Sequence, residues 1–365
     1  MPAERVSSPA RARAAAMSGD PSAVEGPLAG YHHETYVIPL PAEVVGPHRV
    51  RGKCREPRSG LLWFDRRCFA SEETLLAALQ GRVTRVPDLI EVSEDVRLQR
   101  FIEGRTLGSL YASGEEIPDG VADQILDLFR QMARVTPDSL DVERECSPRD
   151  RSAEGDTAGF LDRLICFAEE RVYQENLKRF PGLFSSLGLD GDSFKKLRKQ
   201  VAGLSERPFC LLHADLHREN FVVDGRGRLW AIDWELALFG DPLYDLATHL
   251  YLMRYPKAQH ELMVKRWCAA MEEERAGSSN GWEEDLPRLL DFKRAQSVFT
   301  DIVRATQFLD SRPESGASAL AEEAGKVRRV LAAAAEPLGL DTVPALGDVR
   351  SALGRWGRTG QGPGE

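Results

Sequence analysis

The sequence predicts a two-lobed α+β fold, with a small strand-rich lobe over residues 31–103 and a larger helical lobe over 104–345. Three observations carry that expectation. Runs rich in β-branched and aromatic residues, broken by Pro and Gly, crowd the stretch before Gly104. After it, apolar residues recur at helical spacing in one segment after another. A single short group of strands, between 209 and 233, interrupts the helices.

Residues 1–30 carry Pro, Gly, Ser and Ala without apolar periodicity and are expected to form a disordered leader, with Met17 a second candidate start of translation. The run ETYVIPL (34–40) reads as a strand that stops at Pro41. Residues 49–56 and 61–69 flank the turn-forming Pro57-Arg58-Ser59-Gly60 and read as a hairpin. Ser71 is placed to cap EETLLAALQ (72–80), a short amphipathic helix with Glu72 and Glu73 in its first turn. VRLQRFI (96–102) alternates like a further strand and ends at Gly104. Beyond it, helices are expected over 121–135, 158–177, 192–204, 259–274, 286–309 and 317–335. Strands are expected over 209–213, 221–224 and 229–233, the last two joined across Gly225-Arg226-Gly227. Residues 346–365 are expected to be a mobile tail.

Composition narrows the function classes. A formal net charge of -9 argues against a dedicated nucleic-acid binder. An apolar content of 42% supplies a substantial core, and no run of eighteen apolar residues offers a membrane span. The six cysteines are scattered without a CxxC pair, which fits buried reduced thiols in a cytoplasmic protein better than a disulfide or zinc framework.

The chemistry concentrates in 211–251, LLHADLHRENFVVDGRGRLWAIDWELALFGDPLYDLATHLY. Asp215 follows an apolar strand, Asn220 comes five residues later, and Asp233 stands at the end of the next hairpin. Phosphoryl transfer needs a carboxylate to orient the nucleophile and hard oxygen donors for the ions that bridge the phosphates. These three side chains supply both. A metal hydrolase is the rival reading, because His213 and His217 are four apart with His249 downstream. The segment follows a strand, however, and lacks the helical apolar face that such a spacing requires.

The order HxDxxxxN, IDW and GDPxxDLA resembles the aminoglycoside phosphotransferase family and its choline-kinase-like relatives, which share a protein-kinase-like fold. That resemblance implies a kinase using ATP and Mg2+, with Asp215 as catalytic base and Asn220 and Asp233 as magnesium ligands. His213 would brace the catalytic loop, and Gly240, Asp241 and Asp245 would anchor the turn and helix that follow. Ala214 stands where such families usually have Gly, a change that adds one methyl group.

For the small lobe the resemblance implies a strand lysine on the phosphates, paired with a helix glutamate. Glu72 or Glu73 would be that glutamate. Its partner is Lys53 by spacing, or Arg66 or Arg67 if 61–69 is the strand entering the helix. No glycine-rich phosphate loop stands out, since PAEVVGPHR (41–49) holds one Gly. The backbone of Arg100 and Ile102 would meet adenine, with Gln99 at the back of the pocket. The implied acceptor is a small-molecule hydroxyl, as on an aminoglycoside or similar antibiotic, with Glu235 and other acids receiving amines. Another metabolite or peptide kinase, or a non-catalytic nucleotide-binding module, would carry the same pattern.

Overall fold

The structure is a computed structural model that describes residues 8–28, 30, 33–45, 50–58, 67–94, 96–312 and 316–356. Its first half is built on an antiparallel sheet of β1 (Glu25–Leu28), β2 (His33–Pro39), β3 (Arg51–Pro57), β4 (Leu89–Ser93) and β5 (Val96–Arg100), in the order β1-β2-β3-β5-β4. Side chains alternate across a strand. On β3 this sends Gly52 and Cys54 to one face and Lys53 and Arg55 to the other, while the β3–β5 register sets Lys53 beside Gln99. The helix Glu72–Leu79 begins where Ser71 Oγ accepts from the Thr74 N–H at 3.0 Å, as its cap predicts. Leu75, Leu76 and Leu79 join the main core.

The sequence leaves three parts of this lobe misread. Within the supposed leader, Pro9–Ser18 is a helix that lies on the sheet, and Glu25–Leu28 is the edge strand. Its buried stripe consists only of Ala10 and Ala14, packed with Tyr36, Ile38 and Cys54, so no periodicity of large apolar residues announces it. Ser8 caps it and donates to Glu34 at 2.6 Å, and Arg13 pairs with Glu56. Strand β4 precedes β5 where none was expected. Of the expected strand 61–69, residues 61–66, Arg66 among them, lie outside the described residues; Arg67 and Cys68 are not strand, and Phe69 bridges to Arg144.

The second half is helical, with β6 (Arg105–Thr106), β7 (Cys210–Leu212), β8 (Phe221–Val223), β9 (Leu229–Ala231) and β10 (Leu238–Gly240) set among the helices. Strands β6, β8 and β9 form one antiparallel group, and β7 pairs with β10 in another. Gly104 is required at the crossing between the halves, because a Cβ there would sit 2.3 Å from the Val223 carbonyl oxygen. The principal helices are Asp119–Ala133, Thr157–Phe167, Gly191–Lys199, Pro242–Met253, Lys257–Glu274, Trp282–Ser311 and Gly316–Ala333. The presumed tail is also structured through Trp356. Leu346–Trp356 is a helix that buries Val349, Ala352 and Leu353. No helix among the described residues is long and apolar enough to cross a membrane.

A buried ion cluster locks the helical half. Arg207 donates to both oxygens of Asp241 at 2.7 and 2.8 Å, to Asp285 at 2.7 Å and to the Asn280 carbonyl. Asp241 meanwhile caps Pro242–Met253 through the Leu243 N–H. This is the fold role that the GDP motif implies for Asp241, and removing one partner of such a cluster costs about 3–5 kcal/mol.

The N-terminal helix yields a test. A chain starting at Met17 should lose about 2 kcal/mol of burial free energy from the outer sheet face. Thermal unfolding should then shift downward and Cys54, now buried, should react faster with a thiol reagent; unchanged Cys54 labelling would contradict this packing.

Candidate active site

Between the sheet and the helical half lies a cleft of about 870 Å³. Leu28, Phe101, Ile102, Val222 and Ile232 give it apolar walls, and Gly30, His33 and Thr35, from the β1–β2 hairpin, also line it. Ile102 lines the cleft, and no backbone bond among the described residues uses its N–H. Arg100 does not line it. Its N–H donates to the Asp88 carbonyl at 2.8 Å, and its guanidinium faces the Asp88 carboxylate at 3.1 Å, because β4 covers that edge.

Asp215 and Asn220 come from the loop between β7 and β8 and both line the cleft. The Asn220 amide donates to the Asp215 carbonyl at 2.9 Å and to Asp215 Oδ2 at 3.1 Å, which binds the two ends of the loop together. Asp245, fully buried, accepts from the His213 N–H at 3.0 Å and the Ala214 N–H at 2.8 Å. Burial raises its carboxyl to about 6 against the pull of those two donors. His213 is also buried, with Nε2 bonded to the Ile232 carbonyl at 3.1 Å and its ring against Trp234. Burial holds the imidazole neutral, down at about 4. His249 bonds the Leu216 carbonyl and the Tyr255 hydroxyl instead of pointing toward His213. Among the described residues no group of three His, Cys, Asp or Glu side chains is placed to hold a metal.

Asp233 follows β9 with φ of 66°, a left-handed conformation that Asp tolerates better than most residues. Among the described residues its Oδ1 is buried without a hydrogen-bond partner, and the nearest cation, Arg55 Nη2, stands 3.7 Å away. Burial raises this carboxyl and neighbouring Glu235 adds to it, while Arg55 and Lys53 oppose. An orphaned hard oxygen in a cleft fits a divalent ion.

The basic residue that meets Glu72 is neither Lys53 nor Arg67. It is Arg55, which also reaches Glu235 at 3.3 Å. Arg67 donates to Glu235 at 2.8 Å and does not line the cleft, and His33 Nδ1 lies 3.3 Å from the same oxygen. Glu235 Oε2 is therefore engaged by Arg55, Arg67 and His33. Gln99 is turned to Glu72 as well, donating at 3.1 Å. Lys53 lines the cleft and has no hydrogen-bond or ion-pair partner among the described residues; burial first, then Arg55, brings its ammonium down to about 8 against the pull of Asp233.

Arg55 and His33 are the site residues that the sequence did not reveal. One signal was available for Arg55, since it shares a strand face with Lys53 two residues earlier. Ala214, counted as a change of one methyl, has φ of 63°, where a Cβ is strained. Ala214→Gly should therefore stabilise the protein by about 0.5–1 kcal/mol, read as a higher unfolding midpoint. An unchanged or lowered midpoint would mean that the packing of this methyl outweighs the strain.

Comparison with known proteins now bears on the site. Residues 65–284, more than half of the chain and including Asp215, Asn220 and Asp233, match the phosphotransferase enzyme family. No curated protein sequence matches the chain. Among solved structures, the macrolide 2'-phosphotransferase MphH from Brachybacterium faecium is similar at a TM-score of 0.51 and 16% identity, over 90% of this chain and 98% of that one. A choline/ethanolamine kinase family protein from Mesorhizobium loti reaches 0.48 at 15% identity, covering 94% and 97%. The first of these shows a shared fold, the two-lobed α+β arrangement with a strand-rich first half and a helical second. The chain belongs to the phosphotransferase enzyme family.

Proposed function

We propose that the protein transfers the γ-phosphoryl group of ATP to a hydroxyl of a small molecule, with Asp215 as the base. The observation that carries this reading is the convergence of Asp215, Asn220 and the orphaned Asp233 Oδ1 on one cleft beside an uncommitted Lys53. Asp215 orients the acceptor hydroxyl and takes its proton as the new O–P bond forms. Asn220 and Asp233 offer an amide and a carboxylate oxygen, a hard donor set that suits Mg2+. When bound there, the ion supplies charge neutralisation on the phosphate oxygens. Lys53 meets the phosphates as a point charge, and Arg55 holds Glu72 and the Asp233 segment in place. Ile102 and the apolar walls receive the base.

The acceptor follows from what lines the remaining cleft. Among the described residues, Glu219 is the lining carboxylate left over once Asp215 and Asp233 act in transfer and Glu235 pairs with Arg55 and Arg67. A single such carboxylate favours an antibiotic or metabolite with few amines over a polycationic aminoglycoside. ATP consumption across a panel of neutral, monoamine and polyamine alcohols tests the proposal. Turnover with none of them, alongside intact Mg–ATP binding, would make the protein a nucleotide-binding module.

The roles separate by mutation. Asp215→Ala should cut phosphoryl transfer by about 10²–10⁴-fold while leaving Mg–ATP affinity nearly unchanged. Asp233→Ala should weaken Mg–ATP binding itself by about tenfold or more. Calorimetric titration checks both, and equal affinity losses in the two variants would contradict this division of labour. Lys53→Met should raise the KM for ATP without lowering the unfolding midpoint, since a desolvated ammonium is removed.

A further inference from the structure

We infer that His217 is a positioning residue for the transfer reaction, holding the Asp215 carboxylate so that one oxygen is presented to the acceptor. The inference rests on the phosphoryl-transfer reading and extends it to a residue outside the magnesium and nucleotide contacts. His217 begins the short 3-10 turn Arg218–Asn220 and lines the cleft. Its Nδ1 accepts the Glu219 N–H at 3.1 Å. A ring nitrogen that accepts carries no proton, so in the neutral ring the proton sits on Nε2. Nε2 faces Asp215 Oδ2 at 3.5 Å, a separation of the kind that tightens when a substrate binds.

Asp215 Oδ2 thus accepts from the Asn220 amide at 3.1 Å and is faced by the His217 Nε2–H at 3.5 Å, a contact that becomes a second hydrogen bond once it shortens. Both act on the same oxygen. With both contacts closed the carboxylate is held in rotation, and Oδ1 is the atom left for an incoming hydroxyl. During transfer the acceptor oxygen bonds to the γ-phosphorus, and the bond from that phosphorus to the β–γ bridging oxygen breaks to release ADP. The hydroxyl proton passes to Asp215 Oδ1. His217 neither gives nor receives a proton in this sequence, because Nε2 already carries one and Nδ1 is occupied by the backbone. It acts through Asp215, unlike a residue that touches the substrate.

Two substitutions separate the ring's two jobs. His217→Asn keeps an acceptor for the Glu219 N–H and removes the donor to Asp215, whereas His217→Gln reaches far enough to restore an N–H at the Nε2 position. Mg2+-dependent ATP turnover, in water and with the alcohol panel, is expected to show kcat lower by about tenfold or more in His217→Asn. KM for ATP and the unfolding midpoint should be unchanged, and His217→Gln should recover part of the rate. An unaltered kcat in His217→Asn overturns the inference. So does an equal loss in both variants accompanied by a lower unfolding midpoint, which would reduce His217 to a turn cap. A readout independent of turnover is the imidazole nitrogen NMR of the full chain. It should report the Nε2–H form and shift on Asp215→Asn; an Nδ1–H form, or no shift, removes the contact. Absence of turnover in the unmodified protein, with those nitrogen signals as expected, sinks the phosphoryl-transfer reading and leaves the His217–Asp215 contact standing.

Discussion

Both oxygens of the buried Glu72 carboxylate are in use, and the cleft depends on that pairing. Oε1 accepts from the Gln99 side chain and from the Trp234 N–H at 2.9 Å, while Oε2 meets Arg55. One carboxylate thereby joins the helix that follows β3, the β5 end that leads into the crossing between the halves, and the residue next to Asp233. Burying a carboxylate is costly unless it is paired and fully hydrogen-bonded, so this arrangement is rigid once formed. Arg55 carries the connection further, to Glu235 and toward Asp233. The orientation of the metal-binding candidate is thus coupled to the strand that also bears Lys53.

The helical half solves a similar problem with Arg207. Its ion pairs to Asp241 and Asp285 fix the start of Pro242–Met253, and Asp245 in that helix then holds the backbone of His213 and Ala214. The strained Ala214 peptide and the loop bearing Asp215 rest on a carboxylate anchored two links away. Rigid support of this kind is what a site needs to keep reacting atoms within a fraction of an ångström of their working positions. The two anchors meet at Ile232, whose carbonyl holds the His213 ring just before Asp233.

Asp215, Asn220 and Asp233 were legible because they lie in one short segment, where a strand, a loop and a hairpin leave the chain little freedom to separate them. Ser71 as a helix cap and Asp241 as a fold residue were legible for the same local reason. Glu72 was visible as a candidate, but its partner was not. Lys53 and Arg55 share a face of β3, and only the seating of the helix against the sheet selects Arg55. Arg67 and Glu235 are 168 residues apart, and their pairing leaves no periodicity to read. The N-terminal helix stayed hidden because alanine, its buried residue, carries too little apolar surface to mark a face.

By itself, then, the sequence determined the reaction class, the meeting of Asp215, Asn220 and Asp233 in one cleft, and a strand-rich lobe followed by a helical one. Local geometry and hydrophobic period are written in consecutive residues, and they need no knowledge of what packs above. The tertiary structure decided which cation meets Glu72, that Glu235 Oε2 is engaged within the protein, that Arg100 turns to β4, and that Lys53 stays uncommitted in the cleft. Each of those outcomes is a choice among charges of similar reach, and it is made by desolvation and distance once distant segments are brought together.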